Sequence, residues 1–313
     1  MRSGYGDTQV LVIGASVMDM KVAPRTALVE PARSNPGQIR LEWGGVARNI
    51  AENLARLGVK VRLVTAVGDD FWGRGLLQHL KSLGIDTTDS IISTEHATAA
   101  FVGLHHQDYS PWLAFDDMAV MRSLTPGHLN RLRGLIRQAD MVCVDANLSA
   151  RAFKTLFRLT ARYATPVCVD PTAALLAHRV HPYLPEIAVI TPDKDEAEAL
   201  VGFELRDDEA VTQAARRLVQ LGVRLAIINL GAQGLFYATP EENGRLPVLT
   251  IDQADPIGAG DALTAAVAYG LLEGVSPEEA VRLGMAAATL TLLCHETVCP
   301  TLSVESLYEK LMM

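Results

Sequence analysis

What this chain is short of narrows its function first. Basic charge is scarce: 28 lysines and arginines stand against 36 aspartates and glutamates, a formal net charge of -8. The two signs are mixed along the chain, so the basic stripe that a nucleic-acid surface needs is missing. Long apolar runs are missing too. The first one, in "MRSGYGDTQVLVIGASV", is too short and too broken by glycine to span a bilayer, and it lacks the small-residue cleavage pattern of a secretory leader, so a cytoplasmic protein without membrane contact is expected. The cysteines, Cys143, Cys168, Cys294 and Cys299, form no CxxC. Two of them lie inside apolar runs, where a reduced thiol packs as a small hydrophobe, and all four are expected as thiols. A Walker A motif is absent, which excludes a P-loop phosphotransferase. No proline-rich linker or composition shift divides the 313 residues, so residues 1–313 are expected to form a single domain.

What is present has a clear rhythm. Hydrophobic residues make up 49% of the chain, enough for a large buried core. A helix-like segment ending in Leu-Gly and followed by a β-branched run recurs in "NIAENLARLGVKVRLVTAVGDD", "GLLQHLKSLGIDTTDSII" and "AARRLVQLGVRLAIINLG", where the glycine suits the left-handed residue that ends a helix. Between these units, "ADMVCVDAN", "TPVCVDP" and "EIAVITP" are short apolar runs bounded by turn residues, the pattern of strands buried on both faces of a parallel sheet. The alternation predicts an α/β fold with a doubly wound, mostly parallel sheet flanked by helices. Two segments break it. Residues 17–45 and 97–117 carry strand signals separated by Pro, Asn and Asp turns, with no helix between, and read as hairpins inserted over a ligand crevice as a small β lid.

The chemistry concentrates in "DPIGAGDALTAAVAYGLLEG", residues 255–274. Gly258 and Gly260 let the backbone turn tightly, and the alanine-rich run predicts a helix starting there, whose free N–H groups would bind an anion. Asp261, in the first turn, has two readings. Either it complements the helix dipole, or it is a general base beside an anion-binding turn, an arrangement suited to moving a phosphoryl group onto a hydroxyl. Adjacent His105 and His106 on an extended run would point to opposite faces, which argues against a metal site there.

"DPIGAGD" resembles the C-terminal signature of the PfkB/ribokinase carbohydrate kinases, DTxGAGD, and "GGVARNIAENLARLG" resembles their N-terminal one, in the right order along essentially the whole chain. The resemblance implies an ATP- and Mg²⁺-dependent kinase, with a monovalent cation such as K⁺ as a further cofactor. It implies Asp261 as catalytic base and Gly258, Ala259 and Gly260 as the anion hole. Asp19, Gly44, Gly45 and Asn49 would hold the sugar, with Asn147 a further candidate for the same ligand. These roles suit the residue types: a carboxylate can accept from two vicinal hydroxyls, and bare backbone lets a ring lie close. "INLGAQG" would place Asn229, Gly231 and Gly234 at ATP, although Gly-x-x-Gly after a strand is also a common hairpin. "TPDKDEAEAL" resembles the family's Asn-x-x-Glu motif, giving Asp193 and Glu196 as the magnesium pair, acting through water; an acidic, solvated first helical turn is the alternative.

Three positions depart from the family pattern: Asp193 replaces asparagine, Val17 stands where a polar sugar contact is common, and Pro256 replaces the threonine of DTxGAGD. Asp255 reads as a structural or cation-site residue. Within the family, "SNPGQIRLEWGGVARNIAENL", "DDM", "DANLS" and "VDPTA" are most similar to pseudouridine kinases, which implies a C-nucleoside phosphorylated at its 5′-hydroxyl. The rivals are a kinase of free ribose or fructose, a kinase of adenosine or guanosine, and a ligand-binding sensor on a kinase frame. Lid strands with open edges would allow a homodimer.

Overall fold

Two layers of helices enclose a central sheet in the computed structural model, which describes residues 8–26, 29–30, 32–107, 110–247 and 257–312. In chain order the strands begin β1 (Gln9–Ile13), β2 (Val17–Pro24), β3 (Gly37–Gly44), β4 (Lys60–Val64), β5 (Ala66–Gly68), β6 (Ile91–Ser93) and β7 (Ala99–His105). They continue with β8 (Pro111–Asp117), β9 (Met141–Asp145), β10 (Val167–Asp170), β11 (Val189–Ile190), β12 (Leu225–Asn229), β13 (Leu235–Ala238) and β14 (Asn243–Leu246). Eight of them form the central sheet in the order β14-β13-β12-β11-β10-β9-β1-β4. Pairing is parallel from β4 across to β12, and only β13 and β14 run antiparallel at one edge.

The helices are α1 (Val46–Arg56), α2 (Phe71–Ser82), α3 (Pro126–Arg131), α4 (Arg133–Gln138), α5 (Ala150–Tyr163) and α6 (Ala177–Val180). After them come α7 (Lys194–Val201), α8 (Asp208–Gln220), α9 (Ala259–Leu272), α10 (Pro277–Leu292) and α11 (Val304–Leu311). Strand side chains alternate between the two faces. Val10, Val12 and Cys143 pack with α1, α2, α9, α10 and α11, whereas Leu11, Ile13 and Val144 pack with α3, α4, α5 and α6. This is the doubly wound layering that the sequence rhythm predicts. The Leu-Gly junctions close helices as expected, with Gly58, Gly84 and Gly222 all at positive φ.

The segments that break the rhythm supply a second sheet in the order β3-β2-β7-β8. Its register aligns Asp19 with Glu42 and Phe101, and Phe101 with Asp116. Residues paired in this way share a face. The neighbouring row, Leu41-Met20-Val102-Phe115, therefore lies on the other face, where Leu41, Phe115, Ile39 and Leu113 are exposed.

The cysteine expectation needs correcting. Cys143 and Cys168 are free and buried, but Cys294 and Cys299 are disulfide-bonded. The turn that follows α10 brings their Cα atoms to 5.5 Å, well within bridging range, and a search for CxxC spacing misses a pair brought together this way. Among the described residues, no helix is long and apolar enough to cross a membrane.

Candidate active site

The chain leaves β1 for β4 on one side and returns to β9 on the other, so the strand order reverses direction at β1. In open α/β sheets, ligands bind in the crevice beyond the carboxyl ends of the strands at such a point. A cavity of about 810 Å³ opens there, and its lining includes Ala15 after β1, Asn147 after β9 and Thr172 after β10. Asp19, Gly45, Asn49, Gly258 and Asp261 line it as well. Acceptor-site and base candidates from four separate stretches of sequence thus meet in one place.

Asp261 sits in the first turn of α9, an alanine-rich helix buried over nearly its whole circumference. The helix starts at Gly258, whose φ of 87° is left-handed, and among the described residues no side chain caps it. A Cβ at Gly258 would lie 1.9 Å from the Thr297 carbonyl oxygen, so both conformation and space demand glycine. Ala262 N–H bonds back to Gly258 O at 3.0 Å, and the N–H groups of Ala259, Gly260 and Asp261 precede the intrahelical ladder. They form the positive end of the helix dipole, between Gly258 and Asp261, which both line the cavity. The Asp255-Pro256 part of the motif lies outside the described residues.

Asn49, on α1, donates from Nδ2 to Asp261 Oδ2 at 2.7 Å across 212 positions of sequence. Burial pushes the Asp261 carboxyl well above the usual carboxylate range, the charge of Asp170 adds to the push, and the Asn49 hydrogen bond opposes it. A carboxylate raised in this way is a stronger base once ionised.

Asp19 projects from β2 on the cavity-facing row, and burial, partly offset by Lys21, raises its carboxyl to about 7. Gly44 makes room for it, because a Cβ there would overlap the Asp19 carboxylate at 1.9 Å. Gly45 caps α1 at a φ of 95°, turning the chain from the small sheet into the helix that carries Asn49.

Two carboxylates escaped the sequence reading. Asp145 accepts from Ala15 N at 2.7 Å and Ala47 N at 3.2 Å through Oδ2, and from Asn147 N at 2.9 Å through Oδ1. It ties the loops after β1 and β9 to the start of α1. Asp170, its in-register neighbour, accepts from Thr172 N at 2.9 Å, and burial brings its carboxyl to about 7. The signal was present in the repeated "CVD" at two strand ends, where an acid closes an otherwise apolar run. Thr172 itself has a φ of 69°. That costs a β-branched residue about 1–3 kcal/mol, and its Oγ1 accepts from Ala146 N at 3.1 Å. Arg122 and Arg179 also line the cavity, and Arg179 donates to the carbonyls of Ala146 and Leu148 at 3.0 and 3.3 Å.

The nucleotide candidates stand apart from this cavity, at the adjoining strand ends. Asp193 pairs with Asn229 in an isolated parallel bridge. Asn229 Oδ1 accepts from Gly231 N at 3.0 Å, and the Gly231–Gly234 turn links β12 to β13 as a hairpin. Asp193 and Glu196 form a capping box: Glu196 N–H donates to Asp193 Oδ1 at 2.8 Å and Asp193 N–H to Glu196 Oε2 at 2.9 Å. Burial, followed by the charges of Asp170 and Asp193, lifts the Glu196 carboxyl to about 9. Two carboxylates at one helix start could hold a hard divalent cation through water, and the ion would favour their ionised forms. A separate cavity of about 620 Å³, lined by Lys194, Arg206, Gln233 and Arg245 among others, contains none of the residues picked from sequence.

Comparison with known proteins places this fold in a family. A model of the pfkB family carbohydrate kinases matches residues 7–302. Pseudouridine kinase of Escherichia coli (strain K12) is 31% identical over 297 residues, covering 94% of each chain. Ribokinase of Haemophilus influenzae is 27% identical, covering 84% of this chain and 85% of that one. The structure of Arabidopsis thaliana ribokinase complexed with ribose and ATP shares the fold, with a TM-score of 0.85 at 21% identity over 98% of this chain and 99% of that one. Because the match runs from the first strand of the sheet to the turn before the last helix, the chain belongs to the pfkB family of carbohydrate kinases, phosphotransferases that use an alcohol as acceptor.

Proposed function

We propose that this kinase transfers the γ-phosphoryl group of ATP to the 5′-hydroxyl of pseudouridine, giving pseudouridine 5′-phosphate and ADP. The observation that carries the reading is the Asn49–Asp261 hydrogen bond at the open start of α9. The pair sits beside the amides of the first turn of α9, at a cavity that Asp19 also lines, which supports a base next to an anion-binding turn. Asp19 accepts from the vicinal ribose hydroxyls, with Gly44, Gly45 and Asn147 around the ring. Asp261 takes the proton of the primary hydroxyl as its oxygen attacks the γ-phosphorus in line, and the bond to the bridging oxygen of ADP breaks. Charge spreading over the moving phosphoryl group is met by the amides of Gly258, Ala259 and Gly260.

Asn229, Gly231 and Gly234 are assigned to ATP, and Asp193 and Glu196 to magnesium through water, where the ion would neutralise phosphate charge. A nucleoside is favoured over a free pentose by the apolar part of the cavity. Phe101, Met118, Met121, Leu175 and Leu176 line it together with Asp19, apolar surface that a nucleobase would cover and a bare sugar would not. The small sheet acts as a lid, and its exposed outer face of Ile39, Leu41, Leu113 and Phe115 suits a second copy of the chain, since apolar patches of this kind mark interfaces.

A coupled ADP-release panel with Mg-ATP tests the reading, using pseudouridine, uridine, guanosine, ribose and fructose in potassium and in sodium buffer. The expected result is highest kcat/KM with pseudouridine. Turnover of ribose without turnover of pseudouridine would reject the acceptor assignment and leave the kinase class intact.

A further inference from the structure

Behind the Asn49–Asp261 pair stands a buried cation that the reaction scheme leaves without a role. Arg48 precedes Asn49 on α1 and is 4% exposed. Its Nη1 donates to Asn49 Oδ1 at 2.8 Å and to the Trp43 carbonyl at 2.9 Å. Its Nη2 contacts the Glu52 carboxylate and lies 3.1 Å from His79 Nε2. Glu52 is shared with Arg56, whose Nη2 and Nε reach it at 2.6 and 3.0 Å, and with His79 at 3.2 Å. Burial works to raise the Glu52 carboxyl, but the His79 hydrogen bond and the charges of Arg48 and Arg56 overcome it and hold it at about 2. Arg48 therefore keeps an ionised partner and a fixed place.

A side-chain amide has two unlike edges, an oxygen that accepts and an NH₂ that donates. Asn49 lies between a guanidinium, which can only donate, and a carboxylate, which when ionised can only accept. With Arg48 holding the oxygen edge, the NH₂ edge is left for Asp261. We infer that Arg48 is a positioning residue for catalysis: it locks the Asn49 amide so that its NH₂ faces Asp261, anchoring one carboxylate oxygen and leaving the other to the acceptor. The need for such a lock is visible in the surroundings. Asp170, Asp145 and Asp19 all act to keep Asp261 protonated, and the Asn49 hydrogen bond opposes them. An amide free to flip would put its oxygen against the base and favour the protonated form as well. The inference rests on Asp261 as the base.

A double-mutant cycle on the full chain tests it, with Mg-ATP and whichever of pseudouridine, guanosine or ribose the wild type phosphorylates. Arg48→Met should lower kcat about 10- to 100-fold, leave KM for ATP within about twofold, and move the acid limb of the kcat/KM profile to higher pH. Arg48→Lys, which keeps the charge but lacks the planar fork, should recover part of the rate. In an Asn49→Leu background, Arg48→Met should cost little more, because its effect passes through the amide. If Arg48→Met fails to fold, Arg48→Lys is compared in the same two backgrounds. Losses that multiply in the double mutant, or an acid limb that stays put while kcat falls, would overturn the proposal. Asp261→Asn run alongside separates the failures, since wild-type turnover in that variant removes the base itself.

Discussion

The proposed acceptor end and the proposed nucleotide end of the site are assembled by opposite means. At the acceptor end, hydrogen bonds reach across the chain: Asn49 to Asp261 spans 212 positions, and Ala15 to Asp145 spans 130. At the nucleotide end the side-chain bonds are local, and only the backbone bridge between Asp193 and Asn229 joins distant segments. Asp193 and Glu196 bond each other across three positions, and Asn229 bonds Gly231 across two. Long-range bonds form only once the sheet is complete, so the acceptor pocket is a product of the whole fold. A capping box and a hairpin turn fix their own geometry, and the fold has only to bring them together. Damage at the acceptor end should therefore show as lost chemistry in a folded protein. At the nucleotide end, it should show as local loosening and a changed cation requirement.

The largest expected effect is that of Asp261→Asn, which retains the side-chain shape but removes the proton acceptor. We expect kcat to fall about 10³-fold, with ATP affinity by calorimetry unchanged. A parallel loss of ATP binding would mean that the two ends are not separable. Asp19→Asn should act next: the acceptor KM rises about 10- to 100-fold, because two hydroxyls lose a charged acceptor, while KM for ATP stays within about twofold. Glu196→Gln is the mirror test. It removes a carboxylate while leaving an amide oxygen that can still accept from Asp193 N–H, so helix loosening should stay under about 1 kcal/mol. The magnesium concentration for half-maximal rate should rise several-fold, about threefold or more. Should Glu196→Gln raise the acceptor KM instead, the contrast between the ends fails.

What could be read from the sequence follows the same division. The alternation of strand and helix, the Leu-Gly helix stops and the two inserted segments are local patterns, and the eight-stranded sheet with its small companion corresponds to them. Asp261, Asn49 and Asp19 were picked out because each stands in or near a short motif, yet no spacing indicated that Asn49 would donate to Asp261. Asp145 and Asp170 close strands in "VCVD", and their roles depend on which loops lie opposite, something that sheet order decides and strand pattern does not. Arg48 reads as one more polar residue on an amphipathic helix. Its meaning comes from the layer packed over it, including Trp43, Glu52 and His79. The Cys294–Cys299 bridge was missed for the same reason, because a turn brings together what the spacing keeps apart.

The smallest effect separates the two ends without any turnover. Asp19 and Asp170 are held at about 7 and Glu196 at about 9, against ordinary values of 3.8 and 4.5. Between those limits the folded chain keeps protons that the unfolded chain has released. The stabilisation from these groups is complete below about pH 4 and is lost as pH rises through 7 and then 9. Glu52, held at about 2, runs the other way, but its contribution is complete above pH 4.5 and does not mask the trend. The melting temperature of the ligand-free protein should therefore fall by about 10 °C or more between pH 5 and pH 9. Asp19→Asn should flatten the part of the curve near pH 7, and Glu196→Gln the part near pH 9. Mg-ATP should flatten only the upper part, because the cation favours the ionised form of Glu196 and does not touch Asp19. A melting curve indifferent to pH in the wild type would show that these carboxylates are not raised in the folded chain, and one in which Mg-ATP removes the step near pH 7 as well would show that the carboxylates of the two ends titrate as one group.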